Sequence, residues 1–284
     1  MAKQHHTSTE QHDILTLSTD TIITSRNNPK IKLLRALLKR SERERTGLAL
    51  IEGLSQVLEA SQQPGLVRQL IVAPDVLKSH PAWQLFDAHR QQGCPYLCVS
   101  ADVLQSFQLK YAQQGIAAVI AQRWESLAQV TLAVSDYWLA LEAIEYPGNL
   151  GTILRTCDAT GCRGVFLLDH TADPYDPAAL RASRGAIFTQ RLVKASFQAF
   201  VDWTRRHNYP IIGTSDAAAV HYRQASYPAS AILLMGSERQ GLSPEQQAVC
   251  DLVVSIPMRG TSDSLNVSIA AAVVLYEILQ GDIY

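Results

Sequence analysis

A chain of 284 residues is longer than one domain usually runs, so two domains of roughly 100–200 residues each are expected. Hydrophobic residues at 47% and charged residues at 18% give the balance of an ordinary globular protein, which excludes a fibre, a coiled coil and a disordered chain. The net charge of −1 does not suggest a nucleic-acid partner, so any footprint for one must be local.

Residues 1–24 are polar, carry His5, His6 and His12, and show little periodicity, so they read as a flexible tail. No apolar run of the kind a signal peptide needs follows their charges. Asn28-Pro29 marks a turn into KIKLLRALLKRSERER, where Ile31, Leu34 and Leu38 share one helical stripe with Leu33 and Leu37 beside it. From Arg26 to Arg45 eight basic side chains face only Glu42 and Glu44. Lys30, Lys32, Arg35, Lys39 and Arg40 are the candidates for phosphate contact in this stretch. A solvated helix face accounts for the same charges.

LALIEG (48–53) reads as a strand, Leu54 to Ala60 as a helix and Leu70 to Val72 as a second strand. Continued to about Gln122, this gives a small α/β domain over 25–125, closed by a polar stretch from Arg123 to Gln129. The second domain, 131–284, has a clearer rhythm. Strand candidates at 138–144, 164–169, 210–215, 230–236 and 252–257 alternate with helix-compatible segments, the pattern of a largely parallel sheet covered on both faces.

Three loops follow these strands. The first, EYPGNLGTILRTCDATG, opens a helix with Asn149 at the expected N-cap, Leu150, Ile153, Leu154 and Cys157 on one face, and Gly161 as a left-handed stop. Arg155 points away from that apolar face. The second, GSERQGLSPEQQ, ends in a capping box with Ser243, Pro244 and Gln246. Its GSERQG half lies past a strand's carboxyl end, the usual ligand crevice of an open α/β sheet, although a plain turn uses the same glycines. The third, IPMRGTSDSLNVSIAAAVVLYEIL, holds a long helix capped by Asn266 or Ser264 and apolar nearly all round. Such a helix needs cover on several sides, by the sheet on one and by a second copy of the chain on another, which predicts a homodimer.

Several chemistries are excluded. No G-x-G-x-x-G opens a helix after a strand, no Walker-type G-x-x-x-x-G-K-[ST] is present, and the three loops hold no G-x-S-x-G and no histidine. Five cysteines without paired spacing suit reduced thiols in the cytoplasm rather than a zinc site, so no metal is expected. The apolar stretch from Val267 to Tyr276 is far short of the ~20 residues that span a bilayer.

In order and spacing, EYPGNLGTILRTCDATG, LLMGSERQGLS and VSIPMRGTSDSLNVSIAAAVVLYE resemble the three motifs of the SpoU/TrmH branch of the SPOUT RNA methyltransferases. SRNNPKIKLLRALLKRSERERTGLALIEG is similar to the L30e-like RNA-binding domain that many ribosomal-RNA members carry, and RASRGAIF (181–188) is similar to a further family segment. The resemblance implies an α/β carboxyl-terminal domain with a deep trefoil knot, working as a dimer, and transfer of a methyl group from S-adenosylmethionine to a ribose 2′-hydroxyl of structured RNA. The extra domain favours 23S-type ribosomal RNA. Transfer RNA, or a non-catalytic ribosome-assembly role, are the alternatives. By position in the motifs, Arg155 approaches the target hydroxyl or its phosphate, Asn149 orients it, and Glu238, Ser264 and Asn266 complete the catalytic group. Thr214, Gly236, Ile256, Met258 and Leu265 match the cofactor pocket, with Gly236 expected to let the cofactor approach closely. Arg184 joins the phosphate contacts. Tyr146 departs from the family, which often has aspartate there.

Overall fold

The computed structural model describes residues 18–107 and 114–283. The chain divides into two units that meet in sequence after Gln122, with Tyr175–Pro177 grouped with the first. Most of the segment expected to be a tail, 1–17, lies outside the described residues. Thr19–Ile23, however, forms strand β1, parallel to β4 (Tyr96–Val99), which corrects the expected tail over those residues. Tyr96 fixes it by donating from its hydroxyl to Asp20 Oδ1 at 2.8 Å. TDTII is short, polar and at a sheet edge, so alternation did not reveal it.

The remaining strands of this unit are β2 (Leu48–Glu52), β3 (Val67–Val72) and β5 (Ile116–Ala121), and the sheet order is β1-β4-β3-β5-β2. Only β5 runs antiparallel to its neighbours. Between the strands lie α3 (Leu54–Ser61), α4 (His80–Gln91) and α5 (Ala101–Gln105), preceded by α1 (Pro29–Ala36) and α2 (Arg40–Thr46). Ile31, Leu34 and Leu37 pack on Leu48, Leu50, Ile71, Leu97 and Val119.

The expected single basic helix is therefore two. Asn28 caps α1 by accepting from Lys30 N, with Pro29 in the first turn. At Lys39 the backbone turns extended, and α2 runs on to Gly47 at φ +65°. The break is held by Arg43, which is 1% exposed and donates to the carbonyls of Leu37 and Leu38 at 3.0 and 2.8 Å. A buried guanidinium thus serves the carbonyls that the end of α1 leaves open. Arg43 leaves the solvent-facing basic set for that reason.

The second unit holds seven strands, all parallel: β6 (Tyr137–Glu142), β7 (Gly164–Leu168), β8 (Arg191–Ala195), β9 (Ile211–Thr214), β10 (Val220–His221), β11 (Ala231–Met235) and β12 (Leu252–Ser255), in the order β10-β12-β9-β11-β6-β7-β8. Each of the five predicted strands is present within two residues of its expected ends. The two not foreseen are the sheet's edges, β8 (RLVKA) and the two-residue β10. The helices are α6 (Pro147–Ala159), α7 (Pro177–Ser183), α8 (Phe197–His207), α9 (Pro244–Ala248) and α10 (Val267–Ile283). Arg123 to Gln129, the polar stretch expected to close the first domain, is packed on this unit. Glu125 bridges to Val193 and pairs with Arg191 at 2.7 Å, and the Trp124 ring lies 4.2 Å under the Lys194 ammonium. Trp138, Phe166, Phe200 and Trp203 form an aromatic core, and Gly164 is needed because a Cβ there would sit 2.3 Å from the Trp138 ring. Because every strand is parallel, β6, β9, β11 and β12 deliver their carboxyl ends to one edge of the sheet, the edge where α/β folds bind ligands.

Candidate active site

Helix α6 begins at Pro147, with Tyr146 as its N-cap residue and no side-chain cap bond. Asn149 is therefore the third helical residue and not the cap that the sequence suggested. Pro147, already set at the helical φ, starts the helix and frees the Asn149 amide for other partners. Those partners come from the other two loops. Asn149 Nδ2 donates to Glu238 Oε1 at 3.2 Å, and Asn149 Oδ1 accepts from Asn266 Nδ2 at 3.2 Å. Asn266 Oδ1 in turn accepts from Ser268 N at 2.9 Å and Ser268 Oγ at 2.6 Å, which makes Asn266 the cap of α10.

Glu238 also receives the backbone amides of Glu145, at 3.0 and 3.2 Å, and Tyr146, at 3.2 Å. Its partial burial pushes its pKa up, but the amides of Glu145, Glu238 and Tyr146 and the Asn149 side chain outweigh that, and the carboxyl is held below its ordinary range. A charged Glu238 suits the amino end of α6.

The Asn149–Glu238–Asn266 group lines a polar cleft with Tyr146, Gly148, Thr152 and Ser264. A second cavity of about 240 Å³ opens beside it at the carboxyl ends of β9, β11 and β12. All five residues expected to hold a cofactor, Thr214, Gly236, Ile256, Met258 and Leu265, line this cavity. Glu238, Ser264, Leu265 and Val267 belong to the walls of both. Sequence reading missed Met235, Asp216 and Asp263, which also line the cavity. Their place at the end of β11, just past β9 or within the third loop was the available signal.

Gly236 requires a correction. A Cβ there would lie 2.1 Å from the Gly241 carbonyl oxygen and 2.5 Å from Leu242 N, so the space is filled by the loop's own backbone and not kept open for a ligand. Ser237 and Gly241 pair as an antiparallel bridge, closing GSERQG on itself.

Arg155 stays outside the hydrogen-bonded group. It is exposed on α6, about one helical turn beyond Thr152 and two beyond Gly148, on the stripe that lines the cleft. Arg184 is exposed at φ +46° after α7, which lies so close to α6 that a Cβ on Gly151 would be 2.3 Å from the Ala179 carbonyl oxygen. In the first unit Lys32, Lys39 and Arg40 are exposed and Lys30 and Arg35 half-buried. Arg40 pairs with Glu44 at 2.9 Å, and Arg35 donates to the Arg26 carbonyl at 2.5 Å. Among the described residues no group of three or more His, Cys, Asp or Glu side chains is placed to hold a metal ion.

Residues 136–276 match the SpoU rRNA methylase family, and residues 28–118 match the MRM3-like substrate-binding domain. The 23S rRNA (guanosine(2553)-2′-O)-methyltransferase RlmP of Bacillus subtilis is 30% identical over 90% of this chain and 98% of its own length. The chain belongs to the SpoU rRNA methylase family. A second relative, the 23S rRNA (uridine(2479)-2′-O)-methyltransferase of Streptomyces viridochromogenes, is 30% identical over 91% of each chain. Among solved structures, the AdoMet-bound rRNA methyltransferase of Sinorhizobium meliloti is similar with a TM-score of 0.83 at 30% identity, covering 92% of this chain and 98% of that one. AviRb of Streptomyces viridochromogenes in complex with AdoMet gives 0.84 at 28% identity, covering 90% and 99%. The fold class is that of the SPOUT methyltransferases, as the three loops implied. No described helix is long and apolar enough to cross a membrane.

Proposed function

We propose that this chain transfers a methyl group from S-adenosylmethionine to a ribose 2′-hydroxyl of large-subunit ribosomal RNA in the cytoplasm. The observation that carries this reading is the adjacency of the two cavities, which share Glu238, Ser264, Leu265 and Val267 as a common wall. A donor in one and an acceptor in the other would meet across that wall.

The residues fit the cofactor. Met235, Ile256, Met258 and Leu265 offer apolar walls for an adenine, and Asp216, Asp263 and Glu238 suit a ligand with net positive charge. When bound, S-adenosylmethionine supplies the electrophilic methyl carbon. The chain's own residues then have to hold the hydroxyl in line with it, so positioning supplies much of the rate. Asn149 and Asn266, fixed by each other and by Glu238, form a rigid polar wall for the ribose, with Ser264 beside them. Arg155 is an electrostatic anchor. A guanidinium with a pKa of about 12.5–13.8 gives up its proton reluctantly, so it stabilises developing alkoxide charge while the proton passes to phosphate or water.

In the amino-terminal domain, over 25–125, Lys30, Lys32, Arg35, Lys39 and Arg40 contact phosphates of the RNA, as does Arg184 of the methyltransferase domain, 131–284. Neutralising several of them makes the salt dependence of binding shallower. The working unit is a homodimer through α10.

The test is incubation of the purified chain with radiolabelled S-adenosylmethionine and unmethylated total RNA, with large rRNA and tRNA resolved separately and Arg155→Ala as control. Label in large rRNA that is lost in the control is the expected result. Label in tRNA alone moves the substrate class, and no label despite binding of both ligands sinks the enzymatic reading.

A further inference from the structure

The residue before Pro147 is an aromatic where the local backbone calls for something else. Helix N-caps favour Ser, Thr, Asp or Asn, whose side chains accept an amide of the first turn, and Tyr146 provides no such bond. The residue is 59% exposed, and its side chain takes part in no ring contact or hydrogen bond among the described residues. Nothing in the packing of α6 rewards it.

Position supplies the reason instead. Tyr146 lines the polar cleft together with Asn149, Glu238, Ser264 and Asn266. Its backbone is held at both ends: the amide donates to Glu238 Oε1 at 3.2 Å, and the carbonyl accepts from Asn149 N at 3.0 Å and Leu150 N at 3.2 Å. A flat apolar ring on an immobilised backbone, beside groups suited to a ribose, loses little freedom when something stacks on it.

We propose that Tyr146 is a platform on which a base of the RNA substrate, the target nucleotide or its neighbour, stacks to set the ribose in the cleft. This rests on the reading of the cleft as the site of methyl transfer. Unstacked RNA bases are recognised on aromatic side chains, and stacking tolerates any base because every base has a π-face. The side chain is a positioning residue: it selects a splayed-out nucleotide, while the polar wall handles the sugar.

The experiment compares wild type with Tyr146→Ala, Tyr146→Asp and Tyr146→Phe for KM toward RNA, kcat, affinity for S-adenosylmethionine and mass in solution. Ala and Asp are expected to raise KM for RNA about tenfold, in keeping with measured base–aromatic stacking. Phe restores it, and cofactor affinity and mass stay constant across the series. An unchanged KM in Tyr146→Ala overturns the platform. So does a Phe variant as weak as Ala, which would place the effect on the hydroxyl, or a halved mass in Tyr146→Ala, which would make the ring a contact between copies. If wild type itself labels no RNA, the methyl-transfer reading falls and this one with it; if wild type labels and Tyr146→Ala matches it, only the platform falls.

Discussion

The carboxylate of Glu238 stands at the amino end of α6, where the amides of Glu145 and Tyr146 and the side chain of Asn149 converge on it. An ionised carboxylate only accepts, so Asn149 must turn its NH₂ toward it and its oxygen toward Asn266. The Ser268 amide at the far end only donates, so Asn266 turns its oxygen toward it and its NH₂ toward Asn149, in the same sense as Asn149. Each amide orientation in the chain is thus fixed from both ends. Asn149→Asp removes the donor and sets two carboxylates side by side. It is expected to lower kcat about 10- to 100-fold with the fold retained, read by steady-state rates beside a melting curve. The linkage for Glu238 has a definite sign. Its folded pKa is depressed, so the unfolded chain binds the proton more readily, and the contribution is complete above the ordinary carboxylate range and lost as pH falls through the lowered value. Glu238→Gln should therefore flatten the acid limb of stability below about pH 4, measured as the melting temperature against pH. An unaltered acid limb would assign that limb to other carboxyls.

At the scale of elements, the loop between β11 and α9 owes its shape to Gly236, whose missing Cβ makes room for the Gly241 carbonyl. Gly236→Ala forces the loop open, so cofactor affinity and melting temperature are expected to fall together, with overpacking of this kind costing about 1–3 kcal/mol. Lost affinity with an unchanged melting temperature would instead support direct crowding of the ligand. The central strands were legible because WLAL, GVFLL and AILLM are short continuous apolar runs of the kind a strand covered on both faces carries. The edges were not: RLVKA and VH have little to bury. Leucine periodicity carried the reading straight through the break between α1 and α2, because what ends α1 is Arg43 folding back from the next helix, a contact that spacing does not show. The five positions that line the cavity past β9, β11 and β12 and the Asn149–Glu238–Asn266 group were legible as motifs. Their hydrogen bonding was not, since Asn149 after a strand looks like a cap until Pro147 is given precedence.

For the molecule as a whole, α10 is the element whose surface is left unexplained by one chain. Val267, Ala271, Val274, Leu275 and Ile278 are buried against α6 and β11. Ile269, 49% exposed, and Tyr276, 51% exposed, lie on another stripe with the half-buried Ala272 and Val273. Positions 269, 272, 273 and 276 follow the i, i+3, i+4, i+7 rule of a helix face that packs on something. A dimer mass by light scattering is expected, and Ile269→Glu with Tyr276→Glu should reduce it to the monomer; a monomeric wild type across dilution would remove the second copy from the proposal. The parallel sheet carries a consequence in time as well. Asn149 meets Glu238 across 89 residues of sequence and Asn266 across 117. Contacts so distant in the chain form slowly, after the loop entropy between them has been overcome. A chain with only β6, β7 and β8 paired would lack Glu238 and Asn266, and catalytic competence would return only once β11 has joined the sheet and the last helix has docked.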